Sequence, residues 1–116
     1  MGKMSKFVLL VAAIVTVLAL SSVAFAQTEI RGYGNIFNLH RYSSYAVGDT
    51  KSEYPDRLCT VTVIAYNGNT GASNTAYANS YAQTNVHAPN EHCTRATSSH
   101  YITYNGTTYY SVNLDE

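Results

Sequence analysis

The chain has few charged residues and no long run of either sign. Charged residues make up 12% of its 116 residues, with seven Lys or Arg against seven Asp or Glu. Residues 27–116, the expected mature chain, keep five Lys or Arg and seven Asp or Glu, a net charge of about −2. Nucleic-acid binding requires a basic footprint, and binding to a membrane surface requires clustered basic residues. The sequence therefore predicts no nucleic-acid partner and no membrane partner for the mature protein.

Large aliphatic residues are also scarce. Val, Ile, Leu, Met and Phe together number 13 in residues 27–116, a low fraction for a folded domain. Eleven tyrosines supply the missing apolar area, since each ring can bury on the order of 150–250 Å2. No stretch of this part shows helical periodicity of useful length. We therefore expect an all-β domain with a thin core of Tyr rings and small residues.

Signatures of catalysis and of metal binding are lacking. The chain has no Gly-x-Ser-x-Gly elbow, and its acidic residues fall in predicted loops or at the termini, so no strand carries a carboxylate pair. The spacing of His87 and His92 fits no recognised set of metal ligands, and neither His40 nor His100 adds one. The sequence predicts a protein that is not an enzyme and has no metal and no cofactor.

The N-terminal segment has the three parts of a secretory signal peptide. Lys3 and Lys6 precede residues 7–20, which are apolar at every position except Thr16, and Ala24-Phe25-Ala26 provides a small-x-small cleavage site. An uncleaved anchor is the alternative, because residues 7–26 are just long enough to span a bilayer. The Ala-x-Ala end favours processing. We predict a signal peptide over residues 1–26 and a single secreted, extracellular β domain over residues 27–116.

Two cysteines, Cys59 and Cys93, remain in this domain. A cysteine pair in a secreted chain is usually oxidised, so the sequence predicts one disulfide between them. Closing a loop of roughly 35 residues would stabilise the fold by about 4 kcal/mol in the chain-entropy model. The alternative is a reduced Cys93 acting as a nucleophile beside His92.

Two hairpins organise the predicted fold. Residues 58–66 alternate strictly and are followed by an Asn/Gly turn at residues 67–71 and a return strand over residues 73–86. A second hairpin turns at Asn105-Gly106, the strongest short-range β signal in the chain. A regular two-residue turn there places Tyr101, Thr103, Thr108, Tyr110, Val112 and Leu114 on the predicted core face, and His100, Ile102, Tyr104, Thr107 and Tyr109 on the other. The pattern predicts a small antiparallel β-sandwich or a partly open barrel.

Tyrosine pairs are the candidate binding residues. Tyr104 and Tyr109 lie diagonally across the second hairpin, and Tyr77 and Tyr81 lie four residues apart on the predicted return strand. Tyr combines a stacking face with a polar tip, which suits recognition of glycans, peptides or cell-wall components. The alternative is that these rings substitute for missing aliphatic core residues.

The Tyr-Ser-rich segment from Tyr42 to Tyr45 and the Tyr-rich C-terminal hairpin, following a signal peptide, resemble the lactococcin-type secreted bacteriocins. That resemblance implies a β-sandwich that binds a cell-wall precursor at the target surface, although the chain lacks Trp and has a cysteine pair that the family does not suggest. Our main prediction is a secreted binding protein that recognises a cell-wall or glycan component. A bacteriocin-like toxin is one alternative, and a subunit of an extracellular matrix or fibre is another, with the C-terminal hairpin as an exposed edge.

Overall fold

The computed structural model describes residues 26–116, and these form eight strands. The predicted signal peptide lies outside the described residues except for Ala26. The strands are β1 Ala26–Gly32, β2 Asn35–Arg41, β3 Tyr45–Ser52, β4 Leu58–Asn67, β5 Thr70–Asn79, β6 Tyr81–His87, β7 Arg95–Tyr104 and β8 Thr107–Asp115. A short 3₁₀ turn, Pro89–Glu91, lies between β6 and β7. Over this range, no helix is long and apolar enough to cross a membrane.

The strands form two four-stranded antiparallel sheets with the orders β1-β2-β3-β6 and β5-β4-β7-β8. Buried residues of both sheets belong to one core cluster, so the sheets pack face to face. The all-β sandwich predicted from the sequence is therefore confirmed.

Strand β4 is the centre of its sheet, as its sequence indicates. It pairs with β5 on one side and β7 on the other. Its inward residues are fully buried, with Cys59, Val61, Val63 and Ala65 all at 0% exposure. The predicted hairpin after β4 is confirmed, because the chain turns through Gly68, at φ +60°, and Asn69. Strict alternation and turn chemistry are local signals, so they remain valid without knowledge of the partner strands.

Small residues let the two sheets approach closely. Gly48 of β3 lies against β4, and a Cβ atom placed on it would be 2.5 Å from Cγ2 of Val63 and 3.1 Å from Cγ2 of Val61. Thr50 of β3 bonds across the interface to His100 of β7, with 2.8 Å between Oγ1 and Nδ1. The small residues expected in the core are therefore present, but the prediction that Tyr rings build the core is wrong. Its buried hydrophobic residues are aliphatic residues, Phe37 and the two cysteines, and Tyr110 is the one tyrosine, only partly buried, that packs against this cluster in residues 26–116.

The predicted return strand over residues 73–86 is wrong as a single strand. Strand β5 ends at Asn79, and β6 begins at Tyr81 in the opposite sheet. Ser80 between them has φ +66°, and its N–H donates to the carbonyl oxygen of Arg57 over 2.8 Å. A serine in the left-handed region is uncommon, and nothing in the local alternation indicates it.

The predicted core face of the C-terminal hairpin is right for Tyr110, Val112 and Leu114 of β8 but wrong for β7, where His100 and Ile102 are buried instead of Tyr101 and Thr103. The turn at Asn105-Gly106 is confirmed, but the register shifts at Ile102, which pairs with Tyr110, while Thr103 pairs with Thr108. Tyr109 is therefore the extra residue of a β-bulge. Because of the bulge, two sets of residues lie on the same face of the sheet. A regular hairpin would place them on opposite faces. These are Ser98, His100 and Ile102 of β7, and Tyr110, Val112 and Leu114 of β8.

The physical reason for the bulge is that it allows Ile102 and Leu114 to be buried together. His100 and Ile102 are 0% and 1% exposed, Leu114 is 4% exposed, and Tyr101, which we expected in the core, is 38% exposed. Without the extra residue, either Ile102 or Leu114 would face solvent. Burying both gains more apolar contact than the disturbed ladder loses.

The predicted disulfide is contradicted, because Cys59 and Cys93 are both free and buried. Cys59 lies near the start of β4, whereas the residue after Cys93 donates its N–H to the carbonyl oxygen of Tyr66, seven residues along the same strand. At about 3.3 Å per residue, the two cysteines are separated by roughly 23 Å. A disulfide needs Cα atoms about 4.4–6.8 Å apart, so this fold does not permit one.

Candidate functional site

The first predicted tyrosine pair does come together. The ring centroids of Tyr104 and Tyr109 are 6.5 Å apart with an angle of 40° between the ring planes. Tyr104 is half-buried, whereas Tyr109, the bulged residue, is 57% exposed. The bulge turns Tyr109 out of the regular ladder and beside Tyr104. Their proximity is as predicted, and their role in binding stays a prediction.

The second predicted pair does not share a strand. Tyr77 is in β5 and Tyr81 is in β6, on opposite sides of the crossover at Ser80 and in different sheets. Their exposed fractions are 72% and 45%. The premise that residues four apart share one face fails here, because the strand that should carry both is divided. We therefore place the candidate site around Tyr104 and Tyr109 alone.

Arg57 organises the rings around this pair. Its guanidinium carbon lies 4.1 Å from the ring centroid of Tyr104, 5.0 Å from that of Tyr54 and 5.9 Å from that of Tyr109. The loop between β3 and β4 holds Arg57 in place, since its N–H donates to the carbonyl oxygen of Tyr54 over 3.3 Å. Cations over aromatic faces are attracted by about 0.5–2 kcal/mol each, so Arg57 helps to orient three rings, one from the loop and one each from β7 and β8.

Two further tyrosines complete the aromatic surface. Tyr33 occupies the turn between β1 and β2 at φ +53°, followed by Gly34 at φ +79°. Its ring stacks on that of Tyr110, with 6.0 Å between centroids and 20° between planes. Because of the bulge, Tyr110 pairs with Ile102 and shares its face. The stack connects the two sheets at the end where three loops meet.

Most of these residues, though not Tyr104, line a partly open cavity of about 250 Å3, which we call the tyrosine pocket. Its lining comprises Tyr33, Asn35, Tyr54, Arg57, Ile102, Tyr109 and Tyr110. Ligand pockets are typically apolar or aromatic with a few placed polar groups, and this cavity has that composition. Four rings form the walls, and one amide and one guanidinium are the polar groups.

Asn35 is the residue that most clearly sets this pocket apart. It is 2% exposed, and its Nδ2 donates to the carbonyl oxygen of Tyr33 over 3.3 Å. Its Oδ1 is buried and has no hydrogen-bond partner within residues 26–116. A buried acceptor without a partner costs about 1–3 kcal/mol, and such groups are rare in native folds. Asn35 therefore lines the pocket and has a buried acceptor atom without a partner.

A second, more open cavity of about 500 Å3 adjoins the tyrosine pocket and shares Tyr33 and Asn35 with it. We call it the neighbouring groove. Its charged lining residues are Arg31, Lys51 and Glu53. Most of the aromatic side chains therefore line one cavity, and most of the charged side chains line its neighbour.

The opposite end of the sandwich has a smaller ring cluster. Tyr42 and Tyr45 stack at 4.5 Å with 7° between planes, and Tyr45 stacks on His87 at 5.2 Å. Nδ1 of His87 lies 2.7 Å from Oε1 of Glu91. Burial, together with the neighbouring Tyr45, raises the pKa of Tyr42. These rings contact one another and line none of the cavities described above.

The histidines are dispersed. His100 is in the core between the sheets, whereas His87 and His92 are on the surface near the 3₁₀ turn. Burial lowers the pKa of half-buried His40, which Asp49 and Glu29 partly oppose. Among residues 26–116, no three His, Cys, Asp or Glu side chains are grouped so as to hold a metal ion.

Sequence reasoning identified Tyr104 and Tyr109 but missed Asn35, Tyr54 and Arg57. Asn35 belongs to β2, whereas Tyr54 and Arg57 belong to the loop between β3 and β4, so Asn35 meets the other two only when the chain folds. One signal was present: Ile102 and Leu114 both require burial, and their spacing across a two-residue turn is incompatible with a regular ladder. That conflict predicts a bulge close to the tyrosines.

Comparisons of the chain with protein-family models, with curated proteins and with solved structures found no match. The resemblance to lactococcin-type bacteriocins therefore stays a prediction from the sequence.

Proposed function

We propose that this protein is an extracellular saccharide-binding protein and that the tyrosine pocket holds one sugar ring of a cell-wall or other glycan. The observation that carries the proposal is a pocket walled by four tyrosines whose lining includes Asn35, a buried residue with an unpartnered Oδ1. A sugar ring offers apolar C–H faces that stack on tyrosine and hydroxyl groups that donate to an amide oxygen. Secretion, which rests on the N-terminal sequence, would bring the pocket to such ligands.

The size of the cavity supports a small ligand unit. At about 250 Å3 it lies just below the range of roughly 300–1,000 Å3 usual for drug-sized ligands. One sugar ring suits that volume better than a peptide segment with several side chains. The open neighbouring groove gives the rest of a polymer a path out of the pocket.

The test measures binding of the protein to purified cell-wall sacculi and to a panel of soluble oligosaccharides, by co-sedimentation and calorimetry. Tyr109→Ala should weaken binding about two- to tenfold, because it removes an exposed stacking face worth roughly 0.5–1.5 kcal/mol. Its melting temperature should change little, since the ring is 57% exposed. Asn35→Ala should also weaken binding, with a smaller stability cost than a satisfied buried amide would show.

Tyr77→Ala is the matched control. It removes the same side chain from an even more exposed position, 72%, on the β5 edge and outside the pocket lining. It should leave binding unchanged. Failure of the wild-type protein to bind any sacculus or oligosaccharide would overturn the proposal. So would equal losses in Tyr109→Ala and Tyr77→Ala.

A second candidate function, assembly into a fibre, is favoured by the edges of the sheet β5-β4-β7-β8. Both outer strands expose an edge: β5 has no charged residue, and β8 has only Asp115, which pairs with Arg95 over 3.1 Å. Unprotected edges are templates for pairing with another chain, whereas the β1 edge carries Glu29 and Arg31.

Sedimentation velocity over a concentration series tests assembly. Growth of the sedimenting species with concentration, suppressed by Ala78→Lys on the exposed β5 edge, would support it. A monomer at all concentrations would contradict it.

A further inference from the structure

The tyrosine pocket and the neighbouring groove collect most of the positive charge in the described chain. Three of the five Lys or Arg residues in residues 26–116 line them, namely Arg31, Lys51 and Arg57. Of the seven acidic residues in the same range, only Glu53 does. This excess of positive charge at one site stands against a net negative charge for residues 26–116. Charge of one sign around a cleft raises the local concentration of ligands of the opposite sign.

The cationic groups have N–H donors that their ion pairs do not use. Arg57 pairs with Asp56 over 2.8 Å through Nη1 alone, and Arg31 pairs with Glu29 through Nε. A guanidinium has five N–H donors, so each arginine keeps several for another acceptor. Neither Asp56 nor Glu29 lines a cavity, and exposed pairs of this kind contribute little on their own. Lys51 forms no ion pair within residues 26–116.

Arg57 is also oriented before any ligand arrives. Its guanidinium lies over the ring of Tyr104, and the backbone carbonyl of Arg57 accepts from Ser80. A preorganised guanidinium loses less side-chain entropy when it binds an oxyanion than a free one does. Arg57 and Asn35 line the same pocket.

We propose that the preferred ligand is an acidic saccharide, which rests on the proposed saccharide-binding function. One sugar ring stacks in the tyrosine pocket, donates a hydroxyl or amide hydrogen to Oδ1 of Asn35, and places its carboxylate or phosphate against Arg57. The next anionic unit of the polymer lies in the neighbouring groove near Lys51. Charge-assisted hydrogen bonds are about twice as strong as neutral ones, so these contacts determine which saccharide is chosen.

The experiment compares matched pairs of ligands by calorimetry. Each acidic oligosaccharide in a panel of uronic-acid oligomers is tested beside its carboxyl-reduced, neutral form, and each sugar phosphate beside its dephosphorylated form. Wild-type protein should bind the acidic member at least about tenfold more tightly, as expected for one hydrogen bond to a charged group. The preference should shrink as salt is raised. The two sets of pairs distinguish carboxylate from phosphate as the bound group.

Variants connect the preference to the site. Arg57→Gln and Lys51→Gln should each reduce the acidic-to-neutral ratio several-fold. Arg95→Gln removes the same charge from the other end of β7, nine residues from Tyr104, and should leave the ratio unchanged. Because Arg57 also packs on tyrosine rings, the melting temperature of Arg57→Gln is measured to detect any loss of stability. Lys51 is exposed, so Lys51→Gln removes the charge without losing a ring contact.

The outcomes separate the two proposals. Equal affinity for both members of every pair overturns the acidic preference and leaves saccharide binding standing. A loss in Arg95→Gln equal to that in Lys51→Gln also overturns it, because net charge alone would then explain the effect. No binding to any member overturns both proposals.

Discussion

Acidification should destabilise this protein through one buried histidine. His100 is 0% exposed, and both ring nitrogens have hydroxyl partners: Nδ1 is 2.8 Å from Oγ1 of Thr50 and Nε2 is 2.6 Å from Oγ of Ser98. Thr50 donates its own hydrogen to the carbonyl oxygen of Thr60 over 3.0 Å. Its Oγ1 must therefore accept from Nδ1–H, and Nε2 accepts from Ser98. The arrangement suits a neutral ring.

The size of the effect follows from the pKa of His100. Burial lowers this pKa from 6.5 to about 4, although a backbone hydrogen bond to Asp49 opposes the shift. Below pH 6.5 the unfolded chain takes up a proton that the folded protein takes up only near pH 4. Stability therefore falls as the pH is lowered through this interval, and this residue adds no further loss below it. At about 1.4 kcal/mol per pKa unit, the loss is roughly 3 kcal/mol. A domain of this size typically has about 5–15 kcal/mol in total.

Urea unfolding at a series of pH values measures this loss, with His100→Gln as the comparison. The variant cannot titrate at this position, so other groups, including half-buried His40, contribute equally to both proteins. We expect wild type to be the more stable at pH 7, with the difference shrinking steadily towards pH 4. A difference that stays constant over this interval would refute the reasoning. So would a nuclear magnetic resonance titration that shows His100 protonating near pH 6.5.

Two other predictions concern the core. Cys59 and Cys93 should be unreactive towards a thiol reagent in the folded protein and both reactive after denaturation, because they are buried and burial raises the pKa of Cys59 to about 11. An intact mass that shows them oxidised to each other would contradict this. Gly48→Ala should destabilise the fold by about 1–3 kcal/mol in thermal or urea unfolding, because the added methyl meets Val63 at 2.5 Å. Gly32→Ala, which meets no atom within 4 Å, is the control, and a similar loss in both would show that the close sheet contact is not the cause.

How much of the fold could be predicted from the sequence depends on whether each pattern involves neighbouring residues or residues far apart in the chain. Strand β4 was identified as a strictly alternating strand, and both Asn/Gly turns were placed correctly, because alternation and turn chemistry involve only neighbouring residues. The disulfide was inferred from the expected compartment and from the composition, and neither gives the distance between the two cysteines. The disulfide prediction is wrong because Cys93 lies beside Tyr66, and only the packing of the loop after β6 determines that position.

The sequence by itself determined an all-β domain, its strongest strand and the positions where two hairpins turn. The tertiary structure decided which sheet each strand joins, through a left-handed Ser80, and which face of the last hairpin is buried, through the bulge at Tyr109. It also decided the site. Asn35, Arg57 and Tyr109 come from three different segments, and the cavity between them exists only when both sheets close. Such contacts depend on how distant strands pair and in which register, and a short stretch of sequence does not determine that pairing.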